Sequence, residues 1–315
     1  MKRNQRLHFV QTASNKADTD NANKHAFFIG AYANFDMLET LMRLLDDPLN
    51  DIYLFVNKNS KDFNEGFFRT VCKKSKVFFL ERYPVYWGSP DLLMNGILQF
   101  FKIAAPKHYF YYHYLSGQDL PLLTNDEFHD FFIKNSGKEF LTTRSISKRN
   151  YYRYSKKQIL NKYIRCRGIK KKLMSLIKYG FYFLQIGYDR VKKYFPNGTI
   201  KLGASEFSIS DKLAAFVLEN IPVIEQLYNG TFIPEESWLQ TTLWNSPYKD
   251  NLYINEQGFP SNLRFQIWEK SGNGSPNTLT MKDLHLIQDS HCVFARKFSY
   301  KVDADIISLL SREHE

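Results

Sequence analysis

Four short apolar runs in the first 120 residues constrain the fold of this chain more than any other feature. Each run is continuous rather than alternating, which is typical of strands buried on both faces of a parallel sheet. The runs are His25–Tyr32 (HAFFIGAY), Asp51–Val56 (DIYLFV), Lys76–Leu80 (KVFFL) and Tyr109–Leu115 (YFYYHYL). Helical patterns lie between them at Asn34–Leu45, with Asn34 as a cap, and at Asp91–Ala105, which ends at Pro106. This order predicts an α/β fold with a mostly parallel, twisted central sheet flanked by helices.

In the second half of the chain, the residue pattern predicts fewer strands and more helices. After an apolar segment at Ile200–Ile209, the pattern predicts a helix over Asp211–Tyr228 that Ser210 caps. Further helices are expected around Ser237–Trp244 and at Asp303–Arg312. Neither GxGxxG nor GxxxxGK[ST] occurs in the sequence, so the usual dinucleotide and Walker-type phosphate sites are not expected.

Residues 144–195 form a strongly basic block, with 16 Lys and Arg and a single acid, Asp189, in a chain whose net charge is +11. One interpretation is a helical insertion whose charges face water. Another is an interfacial element, in which Leu173–Tyr188 lies in the head-group layer of an anionic membrane. A nucleic-acid groove would also combine basic and aromatic residues. No nucleic-acid recognition motif accompanies the block, which argues against nucleic acid as a partner.

The cysteines and the lengths of the apolar runs indicate where in the cell the protein is found. The three cysteines are widely spaced and odd in number, which excludes a disulfide framework, and they show no metal-ligand spacing. The N-terminus lacks an apolar signal-peptide region, and no apolar run reaches the 18 to 20 residues of a spanning helix. We therefore predict a cytoplasmic protein. It could also bind peripherally to the inner face of a membrane.

Two polar segments are candidates for chemistry. Asp119 follows the fourth strand in the turn SGQD, where a ligand of a parallel sheet would bind, although it could instead cap the helix that starts near Asn125. Glu235 and Glu236 open a helix in the segment PEES. They could simply stabilise the positive end of that helix, or one of them could act as a general base on a sugar hydroxyl.

Near the C-terminus, Arg296 and Lys297 place two cations inside an apolar stretch. Such cations usually have a fixed anionic partner, which could be a diphosphate or an internal carboxylate. Trp268 precedes a loop rich in Gly, Ser and Pro, and it could stack on a sugar ring or belong to the core.

In this order, these segments resemble the core-2/I-branching glycosyltransferases, which include branching β-1,6-N-acetylglucosaminyltransferases and peptide O-xylosyltransferases. The resemblance covers residues 26–142 and 200–299 and leaves the basic block outside. The matching pieces are YLFVNKNS, Trp87-Gly88-Ser89, YHYLSGQDLPL, LGASEFSIS, PEESWLQT, LRFQIW and SPNTLT…SHCVFARKF.

The resemblance implies a GT-A-like fold and inverting transfer of a sugar from a UDP-sugar, giving a β-linkage. It implies that Glu236 is the general base, that Lys297 binds the diphosphate and that Trp268 stacks on the acceptor. Members of the branching group lack a working DxD motif, so we expect no metal site and no cofactor. We expect Arg296 beside Lys297 at the diphosphate, and Glu235 beside the acceptor.

Two departures from the family pattern concern the donor. Asn57 stands where the family has a carboxylate near uracil or ribose. We expect Asn57 and Asp119 to be the donor contacts on the N-terminal half. The second phosphate-binding cation has no motif here, and Arg264 and Lys270 are its nearby candidates.

We accordingly predict four parts: a flexible tail (1–24), a Rossmann-like half that binds the nucleotide sugar (25–143), a basic aromatic helical insertion (144–199) and an acceptor-binding, catalytic half (200–315). The expected reaction transfers N-acetylglucosamine to a glycan or a lipid-linked glycan. One alternative is a xylosyltransferase of the same family that uses UDP-xylose. Another is a non-catalytic protein that binds anionic membrane or nucleic acid through residues 144–195.

Overall fold

The computed structural model describes residues 8–10, 21–163, 167–269 and 274–312. The strands in these ranges are β1 (His25–Ala31), β2 (Asn50–Val56), β3 (Lys76–Phe79), β4 (Tyr111–Ser116), β5 (Asp119–Pro121), β6 (Arg144–Ser145), β7 (Lys201–Leu202), β8 (Ser208–Ser210), β9 (Arg264–Phe265) and β10 (Phe294–Arg296). The α-helices are α1 (Phe35–Leu44), α2 (Glu65–Phe68), α3 (Leu98–Ala104), α4 (Asn125–Lys134), α5 (Lys148–Ser155), α6 (Gly168–Phe183), α7 (Arg190–Tyr194), α8 (Asp211–Glu219), α9 (Ile221–Tyr228), α10 (Trp238–Trp244), α11 (Leu284–Gln288) and α12 (Ala304–Arg312).

A five-stranded sheet in the order β3-β2-β1-β4-β8 forms the centre of the molecule. β1 runs parallel to β2 and β4, β2 runs parallel to β3, and β8 runs antiparallel to β4. Every residue of β2 is buried, as a strand covered on both faces should be. The predicted α/β class, with a mostly parallel central sheet flanked by helices, is confirmed.

Helices cover both faces of this sheet because successive side chains of a strand point to opposite sides. On one side, Phe27 packs in a cluster with Leu38 of α1 and Phe128 of α4. On the other side, Phe28 packs in a cluster with Phe100 of α3 and with side chains of α8, α9 and α10. A single apolar run therefore supplies two hydrophobic cores.

Two predicted helices differ from single regular α-helices in the structure. The pattern over Asp91–Ala105 becomes a π-helical segment, Leu93–Ile97, that continues into α3. The pattern over Asp211–Tyr228 becomes α8 and α9, which meet at Asn220. Pro222 occupies the first turn of α9, where its missing N–H costs no hydrogen bond. The Ser210 cap of α8 is confirmed by a hydrogen bond from the N–H of Leu213.

Three described residues of the segment 1–24 differ from the expected flexible tail. The Phe9 side chain is 7% exposed, and its ring lies 5.5 Å from that of Phe195 and 5.8 Å from that of Phe216. The N–H of Val10 donates to Oδ1 of Asn220 at 2.7 Å. Residues 8–10 are therefore held against the core, because Phe9 fills a site beside α8.

The basic insertion is helical, as predicted, and contains α5, α6 and α7. α6, with 16 residues, is the longest of these three helices. Among the described residues, no helix combines the length and the apolar character required to cross a lipid bilayer.

Candidate functional site

The polar turn after β4 is joined to the C-terminal part of the chain by a second, small sheet. β10 pairs with β5 in antiparallel register, and this register sets Arg296 opposite Asp119. At the turn itself, a Cβ on Gly117 would lie 3.2 Å from the Cβ of Ala31, so glycine permits the close approach of the two strands. Residues far apart in sequence therefore meet at the carboxyl end of the parallel strands.

Arg296 has internal carboxylate partners in this structure. Its Nε lies 3.4 Å from Oδ1 of Asp119, and its Nη1 forms a close ion pair with Glu206. Asp119 is fully buried, and burial raises the pKa of its carboxyl group, while the charge of Arg296 opposes this rise. Of the two sequence alternatives for Arg296, the structure therefore shows the internal carboxylate.

Asp119 does not cap the following helix. Thr124 and Glu127 form the capping box of α4 instead. Oδ2 of Asp119 accepts a hydrogen bond from the N–H of Ser116 at 2.9 Å, so this side chain closes the turn after β4 and orients Arg296. The carboxylate of Asp119 is enclosed, so the predicted effect of Asp119 on the donor could only be indirect, through Arg296.

The contacts of Lys297 differ from those of Arg296. Its Nζ donates to Oγ of Ser275 at 2.8 Å, and the pKa of the amine is lowered by partial burial and by the charge of Arg296. In the described part of the chain, no carboxylate lies within ion-pair distance of this Nζ. Lys297 is therefore the cation of this pair that is available to an external anion.

Glu235 and Glu236 lie in a 3₁₀ turn before α10, and their environments differ. Glu235 is 8% exposed, and burial raises the pKa of its carboxyl group to about 8. The Glu236 side chain is 34% exposed, and its Oε2 accepts a hydrogen bond from Nη1 of Arg153 at 2.9 Å. Because a general base has to be ionised and within reach of the substrate, the geometry favours Glu236 over Glu235 for that role.

Arg153 is a residue that the sequence reasoning missed. It belongs to α5 of the basic insertion and is only 8% exposed. Its Nε donates to the carbonyl oxygen of Phe232 at 3.2 Å, and its Nη2 donates to that of Ile233 at 3.1 Å. One guanidinium therefore holds both the backbone and the carboxylate of the turn that carries Glu236. No local signal distinguishes Arg153 from the other cations of the block.

A short loop between β7 and β8 links the acidic turn to the Arg296–Lys297 pair. The N–H of Gly203 donates to the carbonyl oxygen of Glu236 at 2.8 Å, and Glu206 of the same loop pairs with Arg296. Burial raises the pKa of the Tyr114 phenol, the charge of Arg296 lowers it, and the charge of Glu235 raises it, so this side chain interacts with groups from both parts. The two parts of the candidate site thus lie at the same edge of the sheet. That Glu236 and Lys297 face each other across one cleft stays a prediction.

Asn57 and Trp268 occupy contrasting positions. The Asn57 side chain donates to the carbonyl oxygen of Val85 at 2.9 Å and accepts from the Val85 N–H at 3.1 Å, so it fastens the chain after β3 to the end of β2. The Trp268 side chain is 57% exposed, and its indole N–H donates to Gln266 at 3.0 Å. The exposure of Trp268 excludes the core alternative and leaves its ring accessible for stacking.

The candidates for a second phosphate-binding cation are not equivalent. Arg264 is 7% exposed, donates to Ser208 and to the carbonyl oxygen of Phe207, and has its pKa lowered to about 9 by burial. It holds β8 and β9 together from within the core. Lys270 lies outside the described residues. Within the described ranges, no group of three or more His, Cys, Asp or Glu side chains is arranged to hold a metal ion.

One family model and several curated relatives match this chain. The model of the Core-2/I-branching enzyme family matches residues 25–288. Xylosyltransferase 1 of Canis lupus familiaris is 26% identical over 217 residues, which are 62% of this chain and 20% of that protein. Xylosyltransferase 2 of the same species is 26% identical over 298 residues, which are 87% of this chain and 31% of that protein. The chain therefore spans less than a third of the length of these curated relatives.

Among solved structures, the apo form of mouse xyloside xylosyltransferase 1 is similar over 86% of this chain and 96% of that chain. The sequence identity is 10% and the TM-score is 0.37.

Proposed function

Because the chain belongs to the Core-2/I-branching enzyme family, we propose that it is an inverting glycosyltransferase that moves a sugar from a UDP-sugar to a hydroxyl group of an acceptor. Glu236 is its general base, and Lys297 stabilises the leaving diphosphate, while Arg296 beside it is held by Asp119 and Glu206. The observation that supports this most directly is the position of Glu236, an accessible carboxylate at the same edge of the sheet as the two cations.

The chemistry is a single displacement. Glu236 takes the proton of the acceptor hydroxyl while that oxygen attacks the anomeric carbon. The bond between this carbon and the diphosphate oxygen breaks, and its electron pair leaves with UDP. Positive side chains stabilise the negative charge that develops there. Arg153 holds one carboxylate oxygen of Glu236, which leaves the other oxygen to accept the proton.

Two donors are candidates. The sequence resemblance led us to expect UDP-N-acetylglucosamine. The relatives described above are named xylosyltransferases, and this observation favours UDP-xylose as the second candidate. The acceptor in either case is a glycan, a lipid-linked glycan or a protein. Incubation of the protein with a panel of UDP-sugars, followed by measurement of released UDP, distinguishes the two donors.

The test of the mechanism is Glu236→Gln, which keeps the shape of the side chain and removes the base. We expect kcat to fall by about 10²–10⁴-fold with little change in the KM of the donor. A second variant, Lys297→Ala, should weaken UDP binding by roughly 10- to 100-fold, because a charge-assisted hydrogen bond is lost. Lys301→Ala changes an exposed lysine four residues further on and serves as its matched control.

Two outcomes would contradict this proposal. If Glu236→Gln kept the activity of the wild-type protein, the base would have to be another group. If Lys297→Ala bound UDP as tightly as Lys301→Ala, the diphosphate would bind elsewhere.

We further propose that the reaction needs no divalent metal and takes place in the cytoplasm. An assay in EDTA tests the first point, and cell fractionation tests the second.

A further inference from the structure

The longest helix of the insertion turns its apolar face towards solvent. Ile169, Leu173, Leu176 and Phe183 recur at helical spacing along one side of α6. They are 85%, 52%, 70% and 72% exposed, respectively. The next residues extend the same patch, since Leu184 is 81% exposed. We call these five side chains the α6 patch.

The opposite side of α6 packs on the body of the protein. Nζ of Lys178 lies 5.4 Å from the centre of the Phe232 ring and 5.6 Å from that of Tyr182. The Tyr182 hydroxyl forms a close hydrogen bond with Gln158. A helix on the surface of a globular protein normally buries its apolar side, and α6 does the reverse. Single exposed apolar side chains are common, whereas a contiguous patch of this kind marks an interaction site.

Charge indicates which partner covers the patch. Exposed lysines flank it at Lys170 and Lys172 on α6, and Lys192 and Lys193 on α7 are also exposed. Asp189, the single acid between residues 144 and 195, is already used, because its Oδ1 caps α7 and accepts from the hydroxyl of Tyr151. The surroundings of the patch are therefore strongly positive and require an anionic partner.

We propose that the α6 patch docks on an anionic lipid bilayer, with α6 lying in the head-group layer and the flanking lysines on the lipid phosphates. A second copy of the chain does not suit this face, because a symmetric contact would bring two strongly basic surfaces together. Nucleic acid would satisfy the lysines but leave the aliphatic side chains in water. This inference does not depend on the proposed transferase activity.

Sedimentation with lipid vesicles tests the inference on the full chain. We expect the protein to sediment with vesicles that contain phosphatidylglycerol and to remain in solution with vesicles of pure phosphatidylcholine. The double change Leu176→Glu and Phe183→Glu should lower the partition coefficient by more than about tenfold, because two large apolar side chains no longer enter the interface. Removing Lys170 or Lys172 should lower it by about fivefold each.

The matched control is Ile133→Glu, since Ile133 is 62% exposed on α4, outside the insertion. Its vesicle binding should equal that of the wild-type protein, and thermal unfolding of each variant establishes that it is folded. The proposal would be overturned by equal binding to both kinds of vesicle, by wild-type binding of the Leu176→Glu, Phe183→Glu variant, or by salt-sensitive binding to DNA without binding to vesicles. Conversion of a dimer to a monomer by the double variant would assign the patch to a second copy instead.

Discussion

Replacing Glu235 by Gln should change how the stability of this protein depends on pH. Burial raises the pKa of Glu235 from the ordinary value of 4.5 to about 8, and the charge of Glu236 adds to the rise. The folded chain therefore keeps a proton that the unfolded chain releases above about pH 4.5. The contribution of Glu235 to the free energy of unfolding should then fall as the pH rises from 4.5 to 8, by up to about 1.4 kcal/mol per pH unit.

Glutamine has nearly the same shape as glutamic acid and does not titrate, so the variant should lack this contribution. Between pH 5.5 and 7.5, we expect the wild-type protein to lose about 2–3 kcal/mol more stability than Glu235→Gln. Urea unfolding followed by fluorescence at several pH values, at constant ionic strength, measures both curves. The difference between the curves isolates Glu235, because the other titrating groups are present in both proteins.

Glu225→Gln is the control, since this side chain is 42% exposed and forms a surface pair with Lys102 at 2.8 Å. Such pairs contribute little to stability, so its curve should run parallel to that of the wild-type protein. If Glu235→Gln also ran parallel, Glu235 would not be a buried neutral acid. Our reason for preferring Glu236 as the base would then be lost.

Two further predictions follow from buried groups near the sheet. In Arg153→Lys, the lysine cannot hold both carbonyl oxygens and the carboxylate at once. We therefore expect kcat to fall by roughly 10-fold or more, while the KM of the donor stays within about twofold. Steady-state kinetics measures both constants, and an unchanged kcat would contradict the positioning role. His25 and His113 are fully buried, their ring nitrogens are 2.9 Å apart, and burial holds both pKa values well below 6.5. The contribution of these two residues to stability should therefore be lost as the pH falls below 6.5. Unfolding measurements should show a shallower loss for His113→Gln than for the wild-type protein, and equal slopes would contradict this reasoning.

The parts of the fold that the sequence predicts are those set by local periodicity. The four apolar runs became parallel strands of one sheet, because a strand buried on both faces has to be apolar throughout. The break at Asn220 was harder to foresee, since Pro222 is tolerated in the first turn of a helix and does not by itself separate one helix from two. The helix pattern identified the residues and missed the interruption.

The contacts within the candidate site could not be predicted from local sequence patterns, because they join distant parts of the chain. PEES marked a pair of acids, but only the fold shows that Glu235 is enclosed and Glu236 accessible. Likewise, the partners of Arg296 depend on the pairing of β10 with β5 and on the loop before β8. Arg153 reaches Glu236 from 83 residues away, and no sequence pattern specifies such a contact.

Two helices of the insertion, α5 and α6, contact the same segment before Glu236, and this connects the two proposals. Arg153 of α5 binds the backbone at Phe232 and the carboxylate of Glu236, while Lys178 of α6 packs on the Phe232 ring. Since a helix with its side chains is about 10 Å across, Phe232 lies roughly that far from the outer face of α6. If that face rests on a bilayer, the turn that carries the proposed base is held close above the lipid head groups. A hydroxyl on a lipid-linked glycan is confined to this same layer, so docking would raise its effective concentration at Glu236 without any new contact to the acceptor.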